Sequence, residues 1–299
     1  MFLGELAALA TALCWSCTAI LMSYSGRRVG STVVNRSRLL FAFLFLLIAH
    51  FLLEGAVFPT GVEPFRWGWL AVSSLLGLVL GDAFLFHAYV LIGPRLGMLM
   101  MSTVPIFSTL FGWLLFGETV ALMELAGVLL AVAGIAWVVS EGQTDPRLTD
   151  KRAYRRGLFY ALLGAVGQVA NLVTARYALV DDFPALSATI IRILIAAVVV
   201  WGLALVQGQA AHTVRQWRDR RVLGALIAAS AVGPFLGIWF SLVAVQHARL
   251  GIASTLMALP PVILIPLEYL VYRHRVSSRA IVGTLLAMAG VALLLAWPG

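Results

Sequence analysis

A succession of apolar segments, each long enough to cross a bilayer, constrains this chain more than any other feature. A helix needs about 20 apolar residues to cross the hydrocarbon core of a membrane. Ten such windows, bounded by Gly, Pro and charged residues, follow one another: 2–23, 34–53, 67–91, 96–116, 121–139, 157–175, 183–206, 222–245, 251–272 and 280–297. The sequence therefore predicts an all-α integral membrane protein with ten transmembrane helices.

The composition excludes a soluble globular protein. Of the 299 residues, 62% are hydrophobic and 11% are charged, whereas soluble domains are about half apolar and about a quarter charged. The longest polar stretches, 141–156 and 207–221, are too short for a separate domain. Any function must therefore reside within the membrane, and the net charge of +8 does not predict a nucleic-acid partner.

The distribution of basic residues predicts the orientation of the chain. The odd-numbered loops carry sixteen arginines and lysines, whereas the even-numbered loops carry only Arg66, Arg176 and Arg249. By the positive-inside rule the odd-numbered loops are cytoplasmic and both termini lie outside. The sign depends on the number of spans, because merging the third and fourth spans across 92–95 would reverse the assignment of the later loops.

The chain contains an internal repeat. The segment Arg95-Leu96-Gly97 recurs 154 residues later as Arg249-Leu250-Gly251. Further pairs share nearly the same offset: Arg38 with Arg192, Pro105 with Pro261, Gly127 with Gly283, and Gly134 with Gly290. This pattern predicts a five-helix repeat at 1–142, a cytoplasmic linker at 143–156 and a second five-helix repeat at 157–299.

An odd number of spans in each repeat has a topological consequence. The two halves must enter the membrane from opposite sides and are then related by a pseudo-two-fold axis in its plane. Inverted repeats around a central cavity are typical of transporters that work by alternating access. Duplication for packing alone is the alternative interpretation.

Four stretches of the first half resemble the EamA-like branch of the drug/metabolite transporter superfamily. They are 88–97, 103–107, 112–118 and 127–134. The resemblance extends over the whole chain, and it implies ten helices in two inverted repeats, a central cavity and secondary transport of small metabolites, often export. His274 departs from the pattern, because the position that matches Glu118 in the second repeat often carries an acid. We expect a bacterial inner (plasma) membrane as the location.

Few charged side chains lie inside the predicted spans, where each costs at least about 2.5–3.5 kcal/mol. Asp82 is the leading functional candidate, since a desolvated carboxyl group can carry a proton. A structural ion pair with Arg38 or a helix cap is the alternative. The repeat-related Arg38 and Arg192 can bind an anionic substrate or brace neighbouring helices. For Glu268, we favour a salt bridge with the cytoplasmic loop over a coupling role.

Side chains at helical spacing predict the wall of a substrate cavity. Trp15 and Thr18 in the first span correspond to Gln168 and Asn171 in the sixth, where packing between helices is the alternative role. The remaining predicted substrate-binding residues are Asp82, Phe86, Tyr89, Met98, Met101, Ser102, Trp239 and Met257. Methionine and aromatic side chains suit a site that accepts varied apolar shapes.

Two repeat-related prolines predict interruptions at membrane depth. Pro105 and Pro261 each lack an N–H and free the carbonyl groups of Met101 and Met257. Such carbonyl groups can accept hydrogen bonds from a substrate, and the prolines can also serve as hinges.

These features predict a secondary transporter of small amphipathic metabolites such as hydrophobic or aromatic amino acids. No phosphate-binding loop is present, so a gradient must supply any energy, and the proton is the candidate coupling ion. We expect a small-molecule substrate, surrounding lipid, no cofactor and no metal. One alternative is a flippase of a lipid-linked substrate, which needs a lateral opening. The other is an intramembrane enzyme using Asp82 and His87, which point to different sides of a helix.

Overall fold

The computed structural model describes residues 2–140, 151–260, 262–263 and 278–296, and all regular secondary structure in these residues is helical. The elements are α1 (Leu3–Val29), α2 (Ser31–Glu54), α3 (Pro64–Ser74), π1 (Leu75–Gly81), α4 (Asp82–Met101), α5 (Val104–Phe116), α6 (Leu122–Ser140), α7 (Lys151–Ala178), α8 (Ala185–Val206), α9 (Ala210–Gln216), α10 (Arg220–Ser230), π2 (Ala231–Gly237), α11 (Ile238–His247), α12 (Leu250–Met257) and α13 (Ser278–Ala296).

Six of the described helical segments are long and apolar enough to cross a membrane. They are Leu3–Gly26, Thr32–Glu54, Pro64–Leu85, Lys151–Ala178, Ala185–Val206 and Arg220–His247. Three shorter apolar helices accompany them: Val104–Phe116, Leu122–Trp137 and Ile281–Leu294. The prediction of an all-α integral membrane protein is therefore confirmed for the described part of the chain.

The interruption between the third and fourth predicted spans lies further along the chain than expected. The sequence predicted a loop at 92–95, but helix α4 continues to Met101. The helix ends at Ser102 and Thr103, where the Thr103 Oγ1 donates to the Met100 carbonyl oxygen at 2.7 Å. Pro105 then occupies the first turn of α5, where a missing N–H breaks no helical hydrogen bond. The helical interruption thus lies beside Pro105, and the hinge role of this proline stays a prediction.

Two π-helical segments allow close packing between neighbouring helices. Segment π1 joins α3 to α4, and π2 joins α10 to α11. Gly77 in π1 lies against the side chain of Asn171 in α7, and Gly233 in π2 lies against Thr18 in α1. A Cβ atom at either glycine would overlap the facing side chain. The glycines therefore fix how closely α7 and α1 approach the two π segments.

Helices α6 and α13 cross through small residues. A Cβ atom at Gly134 would overlap the backbone nitrogen of Ala287, and one at Gly290 would overlap the backbone nitrogen of Ala131. Small residues four apart let helix backbones approach closely in a membrane, where dispersion contacts and packing stabilise the pair. The repeat-related glycines are thus packing residues of this crossing.

Two of the three arginines from the even-numbered loops bind helix carboxyl ends. The Arg66 Nη1 donates to the carbonyl oxygens of Ala178 at 2.8 Å and Val180 at 2.7 Å, at the end of α7. The Arg176 Nη1 donates to the Ala248 carbonyl oxygen at 2.7 Å, just beyond α11. Cations satisfy the free carbonyl groups at these helix ends. These arginines therefore have structural partners of their own.

The third arginine joins the two halves of the chain by an ion pair. Arg249 Nη1 contacts the Glu124 carboxylate of α6. Beside it, the Glu118 carboxylate accepts a hydrogen bond from the Leu250 N–H at 3.0 Å and pairs with Arg176 at 3.1 Å. Glu118 therefore caps the amino terminus of α12, where a negative charge is favourable.

We expect the α6–α13 crossing to be sensitive to added volume at its glycines. Gly134→Val should destabilise the protein by about 1–3 kcal/mol, because the new methyl groups meet backbone atoms. Gly202→Val in α8 is the matched control, since a Cβ atom there meets nothing within 4 Å. The thermal unfolding midpoint in detergent measures both. Equal midpoints for the two variants would contradict the packing role.

Candidate functional site

A buried ion pair joins α2 to the start of α4. The Arg38 Nη2 contacts the Asp82 Oδ2, and the Arg38 Nε donates to the Asn35 Oδ1 at 2.8 Å. The Arg38 side chain is 5% exposed, whereas 25% of the Asp82 side chain remains accessible. Of the two interpretations of Asp82, the structure contains the ion pair with Arg38. Proton carriage by Asp82 stays a prediction.

Arg192 lies in α8 and is almost fully buried, with 2% of its surface exposed. Its Nη2 donates to the Asn171 Oδ1, which also accepts from the Ser73 Oγ at 2.8 Å. The Ser74 Oγ donates to the Arg192 carbonyl oxygen at 2.7 Å. Within the described residues, the Arg192 Nε has no hydrogen-bond partner. In the part of the chain that the structure describes, a neutral amide therefore holds this guanidinium, and no direct ion pair does.

The charges of this cluster do not balance. Asp82 interacts electrostatically with both Arg38 and Arg192, so among the described residues these two guanidinium groups share one carboxylate. We call Arg38, Asp82, Asn171 and Arg192 the charged cluster. It has a net charge of +1 and combines α2 and α4 from the first predicted repeat with α7 and α8 from the second. An arrangement of this kind attracts an anionic group.

The polar residues predicted for the first and sixth spans have different surroundings. The Asn171 Nδ2 donates to the Gln168 Oε1 at 3.3 Å, so both amides adjoin the charged cluster. Thr18 is fully buried against Gly233, and within the described residues its hydroxyl has no hydrogen-bond partner. Trp15 packs within an apolar cluster that also contains Trp239. Gln168 and Asn171 therefore belong to the hydrogen-bond network of the charged cluster, whereas Thr18 packs between helices.

A cavity of about 440 Å³ lies at the end of the bundle where α1 begins and α2 ends, which we call the amino-terminal end. It is lined by Leu3, Leu53, Glu54, Asp182, Pro184, Ala185, Leu186, Trp239, Val243, Gln246 and His247. A smaller cavity of about 260 Å³ beside it shares Glu54 and Pro184. Both cavities therefore adjoin the end of α2 and the start of α8.

Trp239, which lines the larger cavity, packs among other aromatic rings. The Trp239 ring stacks on Phe235 and on Phe240, each at a centroid distance of 6.0 Å. Phe235 and Trp239 also pack against Ile190 and Ile193 of α8, near Arg192 along the chain. The prediction that Trp239 lines a cavity is consistent with this position.

Other predicted site residues lie away from these cavities or cannot be assigned. Met101 and Met257 pack against an apolar cluster that contains Leu250, and Ser102 is buried. The side chains of Phe86, Tyr89 and Met98 lie outside the described part of the structure, as do residues Pro261 and Glu268. Their predicted roles stay predictions.

Asp82 and His87 do not form the acid–base pair that an intramembrane enzyme would need. The His87 Nδ1 lies 3.0 Å from the Ala83 carbonyl oxygen, and its ring centroid is 5.7 Å from that of Tyr160. Asp82 is instead paired with Arg38. The two side chains thus have separate partners in the structure.

The sequence analysis missed the serines that orient the charged cluster. Ser73 and Ser74 bind Asn171 and the backbone of Arg192, respectively. The available signal was a pair of hydroxyl groups inside an otherwise apolar span, which must find hydrogen-bond partners there. Their partners belong to α7 and α8, and no local spacing rule connects these helices.

Comparisons with known proteins agree with this fold. A solved structure, described only as "Crystal structure of protein", superimposes with a TM-score of 0.75 over 99% of this chain and 97% of that chain, at 19% identity. An "Uncharacterized transporter" of Archaeoglobus fulgidus is 24% identical over 196 residues. That match spans 65% of this chain and 66% of the relative, just under two thirds of its length.

The profile of the EamA-like transporter family matches residues 2–140 and 155–296. The two matched regions lie on either side of the predicted linker and together include nearly all of the chain. Membership points to transport rather than catalysis as the activity. The protein therefore belongs to the EamA-like transporter family and is of the drug/metabolite transporter type.

Proposed function

We propose that this protein moves a small amphipathic metabolite, such as a hydrophobic or aromatic amino acid, across a bacterial inner membrane by alternating access. The observation that carries the proposal is the position of the charged cluster. Its side chains come from both halves of the chain, and α8, which carries Arg192, also contributes Ala185 and Leu186 to the larger cavity. Relative movement of the two halves would change access to such a site.

The packing of the two π segments supports an inverted repeat. Segments π1 and π2 begin 156 residues apart. Gly77 of π1 contacts Asn171, and Gly233 of π2 contacts Thr18. The two contacted residues, Thr18 and Asn171, are 153 positions apart in the sequence. Helix α7 therefore packs on π1 as α1 packs on π2. Helices α4 and α12 also end at positions 156 apart, Met101 and Met257.

We infer ten membrane spans from these elements. The third combines α3, π1 and α4, which ends at Met101, and α5 belongs to the fourth. The eighth combines α10, π2 and α11, whereas α12 begins the ninth and α13 forms the tenth. In this arrangement the amino-terminal end faces outward. The three arginines at this end are Arg66, Arg176 and Arg249, which bind helix ends or Glu124.

The surroundings of the proposed pathway favour an amphipathic substrate. Trp239 and Phe235 offer apolar surface, whereas the charged cluster offers guanidinium and amide groups. A molecule with one aromatic or aliphatic part and one charged part matches both. Amino acids with apolar side chains meet this description.

A flippase is the second candidate function, and the lining of the larger cavity supports it. Leu3 and Leu53 border this cavity, and they are 57% and 63% exposed. Apolar side chains between α1 and α2 are what a lateral opening towards lipid requires. Transport of a fluorescent phospholipid in the proteoliposomes used below would favour this function over metabolite transport.

Flux measurements test the proposed function directly. We expect proteoliposomes with the native protein to take up labelled phenylalanine faster than protein-free vesicles. Trp239→Ala should raise the concentration for half-maximal flux by about tenfold, equivalent to about 1.4 kcal/mol. Trp113→Ala is the control, because Trp113 is an exposed residue of α5. Failure to transport any compound of an amino-acid and metabolite panel would refute the proposal.

A double-mutant cycle tests whether Arg38 and Asp82 act as a pair. Asp82→Asn and Arg38→Gln should each destabilise the protein by about 3–5 kcal/mol, because each leaves a buried charge without its partner. The double variant should be more stable than either single variant. We also expect native flux to be independent of an imposed pH gradient, since Asp82 is paired with Arg38 in the structure. Gradient-driven flux that disappears in Asp82→Asn would instead make Asp82 the proton carrier.

Labelling of single cysteines tests the proposed orientation. In a variant with Cys14 and Cys17 replaced by alanine, Gln246→Cys should react with an impermeant thiol reagent added outside cells. This side chain lines the larger cavity. Arg155→Cys, in the exposed first turns of α7, should react only after the membrane is opened. The reverse labelling pattern would invert the orientation.

A further inference from the structure

We infer that the transported substrate carries a single carboxylate, which Arg192 binds while Asp82 stays paired with Arg38. This inference rests on the proposed function and specifies the substrate class of the same site. Three observations support it: the charge imbalance of the cluster, an Arg192 Nε without a hydrogen-bond partner among the described residues, and the partial accessibility of Asp82.

The net positive charge of the charged cluster favours the binding of an anionic group beside Arg192. Arg192 is 2% exposed, and a buried cation without an anionic partner is strongly unfavourable. Asp82 is the only acidic group with a resolved electrostatic effect on Arg192 among the described residues, and Arg38 already bonds to it. One added carboxylate group would bring the net charge of the cluster from +1 to zero, with the ammonium group of an amino-acid substrate placed outside the cluster. A dicarboxylate would leave a negative charge in excess and should bind less well.

The unused hydrogen-bonding capacity of Arg192 fits the geometry of a carboxylate. An arginine can bind a carboxylate through two parallel N–H bonds, one of them from Nε. The Nε of Arg192 is buried without a hydrogen-bond partner in the described part of the chain. Its Nη2 donates to the Asn171 Oδ1, a neutral acceptor that also binds Ser73. Replacing this neutral acceptor with a carboxylate would satisfy both donors.

Access to the cluster is available beside Asp82. A quarter of the Asp82 side chain is exposed, although its partner Arg38 is buried. Gln168, which hydrogen-bonds to Asn171, is also partly exposed. Asp82 and Gln168 are therefore the partly accessible side chains through which a ligand would approach the charged cluster.

The test compares molecules that share a phenyl group and differ in charge. The probes are phenylalanine, phenylalaninamide, 2-phenylethylamine, 3-phenylpropionate and phenylsuccinate, added to the purified native protein in detergent. Titration calorimetry measures each dissociation constant. We expect phenylalanine and 3-phenylpropionate to bind at least about tenfold more tightly than the amide, the amine and the dicarboxylate, since charge-assisted hydrogen bonds contribute about 1.5–3 kcal/mol.

Variants assign the discrimination to Arg192. Arg192→Gln should weaken carboxylate binding by about ten- to hundredfold and abolish the preference over the amide. Arg192→Lys keeps the charge and should restore part of the preference. Arg36→Gln is the matched control. Arg36 lies in α2 and is buried like Arg192, but its guanidinium group binds the neutral side chains of Gln209 and Thr213. It should leave the preference unchanged. Asp82→Asn should bind carboxylates at least as tightly as the native protein.

The outcomes separate this inference from the proposed function. Equal affinities for phenylalanine and its amide, or a preference that survives in Arg192→Gln, would overturn the carboxylate assignment. Lack of binding by every carboxylate probe would overturn it as well. Flux of 2-phenylethylamine at the rate of phenylalanine would overturn the inference but leave the transporter function intact. Folding of each variant is verified by its thermal unfolding midpoint and its elution as a single species.

Discussion

The burial of two guanidinium groups around one carboxylate is the constraint on which the centre of this bundle depends. Insertion of a charge costs several kcal/mol in a membrane unless a partner or water compensates it. Arg38 is compensated by Asp82, whereas Arg192 is held by Asn171 and by its electrostatic interaction with Asp82. Four helices must therefore keep their positions to maintain these contacts, and they belong to both halves of the chain.

The glycines of π1 create the space that the charged cluster needs. Gly77 lies against the Asn171 side chain, so any larger residue would displace the amide that binds Arg192. Gly81 similarly lies close to the backbone of Gly167 in α7. A π segment is common at functional sites because its wider turn shifts the residues that follow it. Here Asp82 directly follows π1. Backbone geometry and electrostatics are thus coupled in this part of the protein.

The charged residues of the site could be predicted from the sequence, whereas most of their contacts could not. Asp82, Arg38 and Arg192 stood out because charges are rare in apolar spans, and the structure brings all three together. The serines of α3 and the end of α4 were not predicted correctly, because both depend on contacts with distant helices. The cavity around Trp239 also has no local signal, since four helices contribute to its lining. Periodicity identifies the faces of helices, whereas their partners depend on tertiary packing.

The amino-terminal end combines a side held by ion pairs with a side that contains the cavities. Glu118 and Glu124 bind Arg176 and Arg249, which fastens the loop between α5 and α6 to α7 and α12. The larger cavity instead lies among α1, α2, α8 and α11. In the sequence, the repeat-related positions of the two acids are His274 and Ala280, and neither of these residues has a carboxylate. Under the proposed alternating access, closure at the amino-terminal end therefore involves the helices around the cavity, while the ion pairs hold the other side. The two ends of the protein would then close by different interactions despite the repeat.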